Sequence, residues 1–304
     1  MMVVSPSTET AGRLGEWVNR HPVAAFFGLA YAISWVAWIP WAFGYQDGAG
    51  AVLFIVGGFG PLAAAVIITK STGGSIRAWA RGIRAWRVPA RYYAYALGLP
   101  PLLFVAINAE LALLGQQVDL ALLPGRLMGY VGTLIFVAIL GGGLEEPGWR
   151  GFALPRLEQR HSPLRATLIL GFVWGVWHIP AYGTPIAFVV PLVLAFFYTW
   201  LYNRTGSVLL CILLHASFTP AIDQLVLTRD SATVDVAIFM TLVVAALTLI
   251  VITRGRLGSN ETTREEDPSW IPSSSSLRRA PPSDDKRIVA GQPAGTGWRV
   301  SSRS

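Results

Sequence analysis

The chain has little charge. Of its 304 residues only 13% are Asp, Glu, Lys or Arg, against 53% that are hydrophobic. That balance excludes an ordinary water-soluble domain of this size, whose surface needs far more polar side chains. Cysteine is almost missing too. The single Cys211 sits inside an apolar stretch, which excludes an internal disulfide and a thiolate metal cluster. The first twenty residues hold Glu9, Arg13, Glu16 and Arg20 and no apolar core, so no secretory signal is expected there. The apolar run that follows is too long for a signal, lacks a small-residue cleavage pattern, and is expected to stay as a spanning helix. A net charge of +7 would suit nucleic acid, but the basic residues flank apolar runs instead of alternating with aromatics on a soluble face. Nucleic acid is therefore excluded as a partner, and membrane lipid with an anionic surface takes its place.

What the chain does have is long apolar sequence. A hydrocarbon core of about 30 Å needs about 20 apolar residues per helix. Eight stretches qualify: Pro22 to Tyr45, Ala51 to Ile68, Tyr92 to Leu114, Leu127 to Leu144, Leu164 to Tyr182, Ile186 to Tyr202, Ser207 to Asp223, and Val234 to Thr253. The fold class is therefore all-α, a polytopic membrane bundle of about eight transmembrane helices. Alternate connections differ in charge. One set holds Arg13 and Arg20, Lys70 through Arg91, Arg156 through Arg165, Arg204, and Arg254 with Arg256, whereas the other holds only Arg126 and Arg229. Basic residues stay on the cytosolic side, so both termini are expected in the cytosol and the bundle in the plasma membrane.

The resulting organisation is a cytosolic segment over residues 1–21, a bundle over 22–253, and a tail over 254–304. The tail is rich in Ser, Pro, Gly and charge of both signs, and is expected to be disordered. Between the second and third spans, Ile76, Trp79, Ile83 and Trp86 recur at helical spacing opposite Arg77, Arg81 and Arg84, which predicts an interfacial helix.

Ionisable groups inside a membrane are costly, so each is a functional candidate. They are Glu110, the pair Glu145 and Glu146 with Arg150, His178, and His215 with Asp223. The basic residues of the connections mark one boundary. Glu145, His178 and His215 each lie about 11 to 13 residues from it, or roughly 16 to 20 Å along a helix. Three side chains at one depth on three helices can meet in one cavity, provided that Pro147 and Gly148 kink their helix and do not end it. Glu146 and Arg150, four apart, can pair, and His215, Thr219 and Asp223 share a helical face. Structural alternatives stand beside these readings: an ion-pair cluster at a kink, satisfied core histidines, and for Glu110 beside Asn108 a hydrogen-bonded carboxyl near the outer interface. Gly171 and Gly175 read as ordinary close helix packing.

These residues resemble the CPBP family of intramembrane proteases, also called the CAAX protease and bacteriocin-processing or Abi family, which includes prenyl-protein endopeptidases. Its EExxxR motif appears as Glu145 to Arg150 followed by Gly151, its FxxxH as Trp174 to His178, and its final His with Thr219 four residues after His215. The motif-bearing core runs over 141–220. Thr219 departs from the commoner Asn, which would offer a carboxamide NH₂ to an oxyanion. The resemblance implies an eight-helix bundle with a cavity open to the cytosol, and hydrolysis of a peptide bond in a membrane-associated, CAAX-like peptide or protein, prenylated or not. It implies catalytic roles for Glu145, Glu146, Arg150, His178 and His215, and substrate or oxyanion contacts for Trp174 and Thr219. Whether His178, His215 and Glu145 hold a divalent metal, zinc first, or act on water without one is left open. A non-catalytic binding or immunity protein on the same fold is the alternative, and a transporter a weaker third, since no internal repeats are visible and Arg150 disfavours cation passage.

Overall fold

A computed structural model of the chain describes residues 6–228 and 231–259, with the backbone alone at 6–11, 186, 231 and 232. Of the tail expected to be disordered over 254–304, residues 254–259 instead pack on the bundle, because Leu257 is fully buried and its carbonyl accepts from Asn203, whereas residues 260–304 lie outside the described residues, as do residues 1–5.

Helix boundaries follow local chemistry. Proline, whose missing N–H costs nothing in a first turn, opens α2 (Pro22–Ala42). Ser162 caps α7 (Pro163–Tyr182) by accepting from the Arg165 amide, and Gly183 ends it in the left-handed conformation at φ 64°. Helix α8 (Pro185–Thr205) likewise ends at Gly206, φ 62°, and Ser207 caps α9 (Val208–Gln224) through the Leu210 amide. The other helices are α1 (Pro6–Arg20), α3 (Gly48–Gly58), α4 (Gly60–Ser71), α5 (Ala90–Leu113), α6 (Leu123–Ile139) and α10 (Ser231–Ile252). Among the described residues there is no strand.

Each of the eight apolar stretches is helical. Six helical segments are long and apolar enough to cross a membrane, α6 counting together with the turns on either side of it as Leu120–Glu158, and a seventh span results if α3 and α4, bent by 45°, count as one. Helix α9 has 17 residues and falls short of that length. It is mostly buried among other helices, so its length need not match a bilayer. Large apolar side chains such as Leu102, Met128, Phe172 and Val244 face outward, while Glu146 and Arg150 are fully buried. That inversion suits a chain whose solvent is lipid.

Two expectations change. The interfacial helix is reduced to one turn, Ile76–Trp79, followed by turns; Trp79 is buried and Trp86 exposed, so they do not share one face. The reason is that backbone groups of this segment are used elsewhere: Gly82 O accepts from the Val208 amide and Ala85 O from Ser207 Oγ, tying the segment to the start of α9. The first segment, read only as a cytosolic stretch, forms α1.

Interhelical hydrogen bonds fix the helices that carry the polar cluster. Tyr31 Oη and Trp35 Nε1 of α2 donate to the Val173 and Trp177 carbonyls of α7. Thr167 on α7 donates to Thr199 on α8 at 3.0 Å. Ser217 on α9 bonds Tyr130 on α6 and donates to Leu97 O on α5. A Cβ at Gly175 would lie 2.3 Å from Phe188 O, so the glycine is what lets α7 and α8 approach, as the packing reading expected.

Candidate active site

The chain between α6 and α7 changes helix type three times. A break at Leu140 and Gly141 is followed by a 3₁₀ turn, Gly142–Glu145, one α turn, Glu146–Gly148, a π-helical turn, Trp149–Ala153, and a final α segment, Leu154–Glu158. Pro147 and Gly148 therefore do not end the helix; the break lies before the glutamates. Pro147 sits in the first turn of its segment, where the lost N–H is harmless. Tight and wide turns on either side rotate successive side chains away from their regular 100° spacing. Adjacent Glu145 and Glu146 consequently reach different partners.

Glu146 is fully buried and faces two cations or potential cations. Arg150 Nη1 donates to both its oxygens at 3.2 and 3.0 Å, and His215 Nδ1 donates to Oε1 at 2.9 Å. A carboxylate can only accept, so Nδ1 of His215 carries the proton and Nε2 points the other way. Nε and Nη2 of Arg150 have no hydrogen-bond partner among the described residues. Its guanidinium carbon instead lies 4.2 Å from the centre of the Trp174 ring and 4.3 Å from that of Tyr198. Two aromatic faces thus take up charge that a single carboxylate leaves over.

Glu145 is 5% exposed, and its Oε2 accepts from Trp174 Nε1 at 2.8 Å. Its other oxygen turns toward Gly142. A Cβ built on Gly142 would lie 3.0 Å from Glu145 Oε1 and 2.6 Å from His215 Nε2. Glu145 Oε1 and His215 Nε2 therefore converge on Gly142, a close approach that a side chain at residue 142 would obstruct. His178, 9% exposed, donates from Nδ1 to the Trp174 carbonyl at 2.8 Å, which leaves its Nε2 free to act. The Trp174 ring contacts both imidazoles, with centroids 5.6 Å from His178 and 5.7 Å from His215.

All five ionisable residues singled out from the motifs come together around Trp174. The tryptophan is not a bare wall of the cavity: it is 2% exposed and is occupied with holding Glu145, Arg150 and the imidazoles. Thr219 donates back to the His215 carbonyl, 3.2 Å away, so its hydroxyl proton is engaged within its own helix. Asp223 is exposed, and its backbone carbonyl accepts from Arg126. Glu110 accepts from Thr241, and Asn108 holds the segment after α9 through Leu225 and Leu227, both away from this cluster and in keeping with structural roles. Sequence reading passed over Gly142 and Tyr198. The run Gly141-Gly142-Gly143 directly before the paired glutamates was a visible signal; Tyr198 had none.

The donor set considered for a divalent metal was His178, His215 and Glu145. Among the described residues no three His, Cys, Asp or Glu side chains gather closely enough to hold one ion. Among the described residues the arrangement does not fit a three-ligand zinc site.

Residues 127–219, which include every member of the cluster, match a family model described as type II CAAX prenyl endopeptidase Rce1-like. A "CAAX prenyl protease 2" of Methanococcus maripaludis is 29% identical over 135 residues, covering 38% of this chain and 49% of that protein. The chain thus spans about half the length of that curated relative.

Proposed function

The chain belongs to the CPBP family, and on that premise we propose that it is an intramembrane endopeptidase that cleaves a membrane-associated, CAAX-like peptide by water activated without a metal. The observation that carries this reading is the convergence on Gly142 of a carboxylate oxygen of Glu145 and Nε2 of His215. A water molecule bound by both groups would meet a base on one side and an imidazole on the other.

Glu145 Oε1 takes one proton from the water as its oxygen bonds to the scissile carbonyl carbon, while Trp174 holds Oε2 so that the free oxygen is the one presented. The carbonyl π electrons move onto oxygen. His215, charged and held by Glu146, donates from Nε2 to that oxyanion, and Glu146 and Arg150 act as positioning residues behind it. His178, fixed by the Trp174 carbonyl, offers Nε2 to orient the water. When the tetrahedral adduct collapses, the C–N bond breaks, the proton on Glu145 passes to the departing nitrogen, and a new carboxyl and a new amine result. The enzyme sits in the plasma membrane with both termini in the cytosol, so substrate enters from that side.

The test is cleavage of a fluorogenic, lipid-tethered C-terminal peptide by the full chain in proteoliposomes. His178→Ala and His215→Ala are each expected to reduce turnover at least a hundredfold while the protein still accumulates in membranes. Wild-type rates from both variants would refute the proposal.

A second reading has one observation in its favour. The Thr219 hydroxyl is spent on the His215 carbonyl, so a donor that would complete an oxyanion site is diverted. A binding or immunity protein would keep the buried cluster for packing and hold its peptide uncleaved. Binding of the same tethered peptide without any cleavage by the wild-type chain is the outcome that favours it.

A further inference from the structure

Where α5 begins and α8 ends, away from the cluster around Trp174, a cavity of about 400 Å³ is lined by Arg91, Tyr92, Tyr95, Trp200 and Arg204. The Arg91 guanidinium lies 5.0 Å from the Tyr92 ring centre, and its Nη2 reaches the Tyr92 hydroxyl at 3.5 Å. Arg204, from the other helix, lines the same cavity. Two cations on different helices therefore line one cavity beside a neutral hydroxyl, and none of the ion pairs among the described residues supplies either with a carboxylate. Mutual repulsion would drive free arginines apart. Arg204 is constrained, because its stem packs on Gly258 so closely that a Cβ there would lie 2.8 Å from Arg204 Cγ.

The cavity is also graded. Arg91 and Tyr92 occupy the first turn of α5, and Tyr95 lies one turn deeper along that helix. Arg204 occupies the last turn of α8, and Trp200 lies one turn deeper along it. The rings of Tyr95 and Trp200 pack 4.5 Å apart, and Trp200 lies 6.2 Å from the ring of Tyr92. The result is a cationic rim above an aromatic floor. Paired guanidiniums with a hydroxyl between them form a donor set for phosphate oxygens. An aromatic wall one turn below suits the glycerol and upper acyl chain of a lipid at the interface.

We propose that this cavity binds the phosphate of an anionic phospholipid, with Arg91, Arg204 and the Tyr92 hydroxyl donating to the headgroup and the acyl chain lying against Tyr95 and Trp200. The site stands apart from the candidate active site and does not depend on the proposed proteolysis.

The experiment uses the purified full chain in a detergent with an uncharged headgroup, titrated with phosphatidylglycerol, with phosphatidylcholine, or with inorganic phosphate, and followed by thermal unfolding and by native mass spectrometry. Phosphatidylglycerol is expected to bind and stabilise, and phosphatidylcholine, whose choline offsets its phosphate, to do so far less. The Arg91→Gln/Arg204→Gln variant should bind phosphatidylglycerol about 30-fold more weakly, as the loss of two basic contacts predicts. Each single substitution should weaken it about 5-fold, which keeps the test intact if the double variant does not fold. Equal binding of both lipids, or unchanged affinity in the variants, overturns the proposal. Full stabilisation by inorganic phosphate alone overturns the lipid assignment and leaves a soluble-anion site.

Discussion

Nδ1 of His215 lies 2.9 Å from Oε1 of Glu146, a carboxylate that Arg150 also holds from the next helical turn. The neighbouring Glu145 makes no such pair; it is held by Trp174 and faces His215 from the other side. One glutamate is therefore committed to orienting an imidazole, and the other is left to act.

That division predicts unequal consequences. Glu146→Leu strands a fully buried Arg150 and should cost about 3–5 kcal/mol of stability, read as a lower unfolding midpoint in detergent. Glu146→Leu/Arg150→Leu should recover most of that loss yet remain inactive, because His215 is no longer oriented. A double variant as unstable as the single one would show that the pair is not a compensated unit.

Gly142→Ala places a methyl group against both Glu145 Oε1 and His215 Nε2. Gly142 is partly exposed and its φ is not in the left-handed region, so the backbone accepts alanine and the cost falls on the His215 side chain, which must shift. Peptide turnover is expected to fall at least a hundredfold, with a smaller drop in unfolding midpoint than Glu146→Leu causes. Retained turnover would place the water elsewhere.

Trp174→Phe keeps a ring against Arg150 but removes the N–H that fixes Glu145. A hydrogen bond to a charged group contributes roughly 1.5–3 kcal/mol, so kcat should drop about 10- to 100-fold with KM little altered. A change in KM alone would instead make Trp174 a substrate contact.

Thr219→Asn restores a carboxamide one helical turn after His215. If the threonine limits oxyanion stabilisation, kcat should rise, by up to about 100-fold. A fall in kcat would mean that the Thr219 to His215 hydrogen bond is itself needed.

Dialysis against a strong divalent chelator is expected to leave cleavage unchanged. Loss of activity that zinc restores would require a ligand set different from the arrangement of His178, His215 and Glu145 described above.

The spans were legible in sequence because lipid imposes a coarse rule, about 20 apolar residues per crossing, that composition alone can satisfy. The shared location of Glu145, His178 and His215 was legible for the same reason: basic residues in the connections mark one boundary, and distance from it translates into depth. Direction was not legible. Whether Glu145 or Glu146 faces His215 depends on the 3₁₀ and π turns around them, which break the regular spacing that pattern reading assumes. Tyr198 escaped notice because an aromatic on an apolar helix reads as packing; only Arg150, buried against its face, gives it a polar task. The interfacial helix failed for a comparable reason, since its periodicity was real but its carbonyls were taken by Val208 and Ser207.

The decisive measurement is single-turnover cleavage of a lipid-tethered peptide in proteoliposomes by wild type and by Glu145→Gln, which keeps the size of the side chain and an oxygen for Trp174 while removing the base. Cleavage by wild type and a loss of at least a thousandfold in the variant, with both proteins equally folded, is the expected result. Comparable rates from the two would contradict a hydrolytic centre built on Glu145.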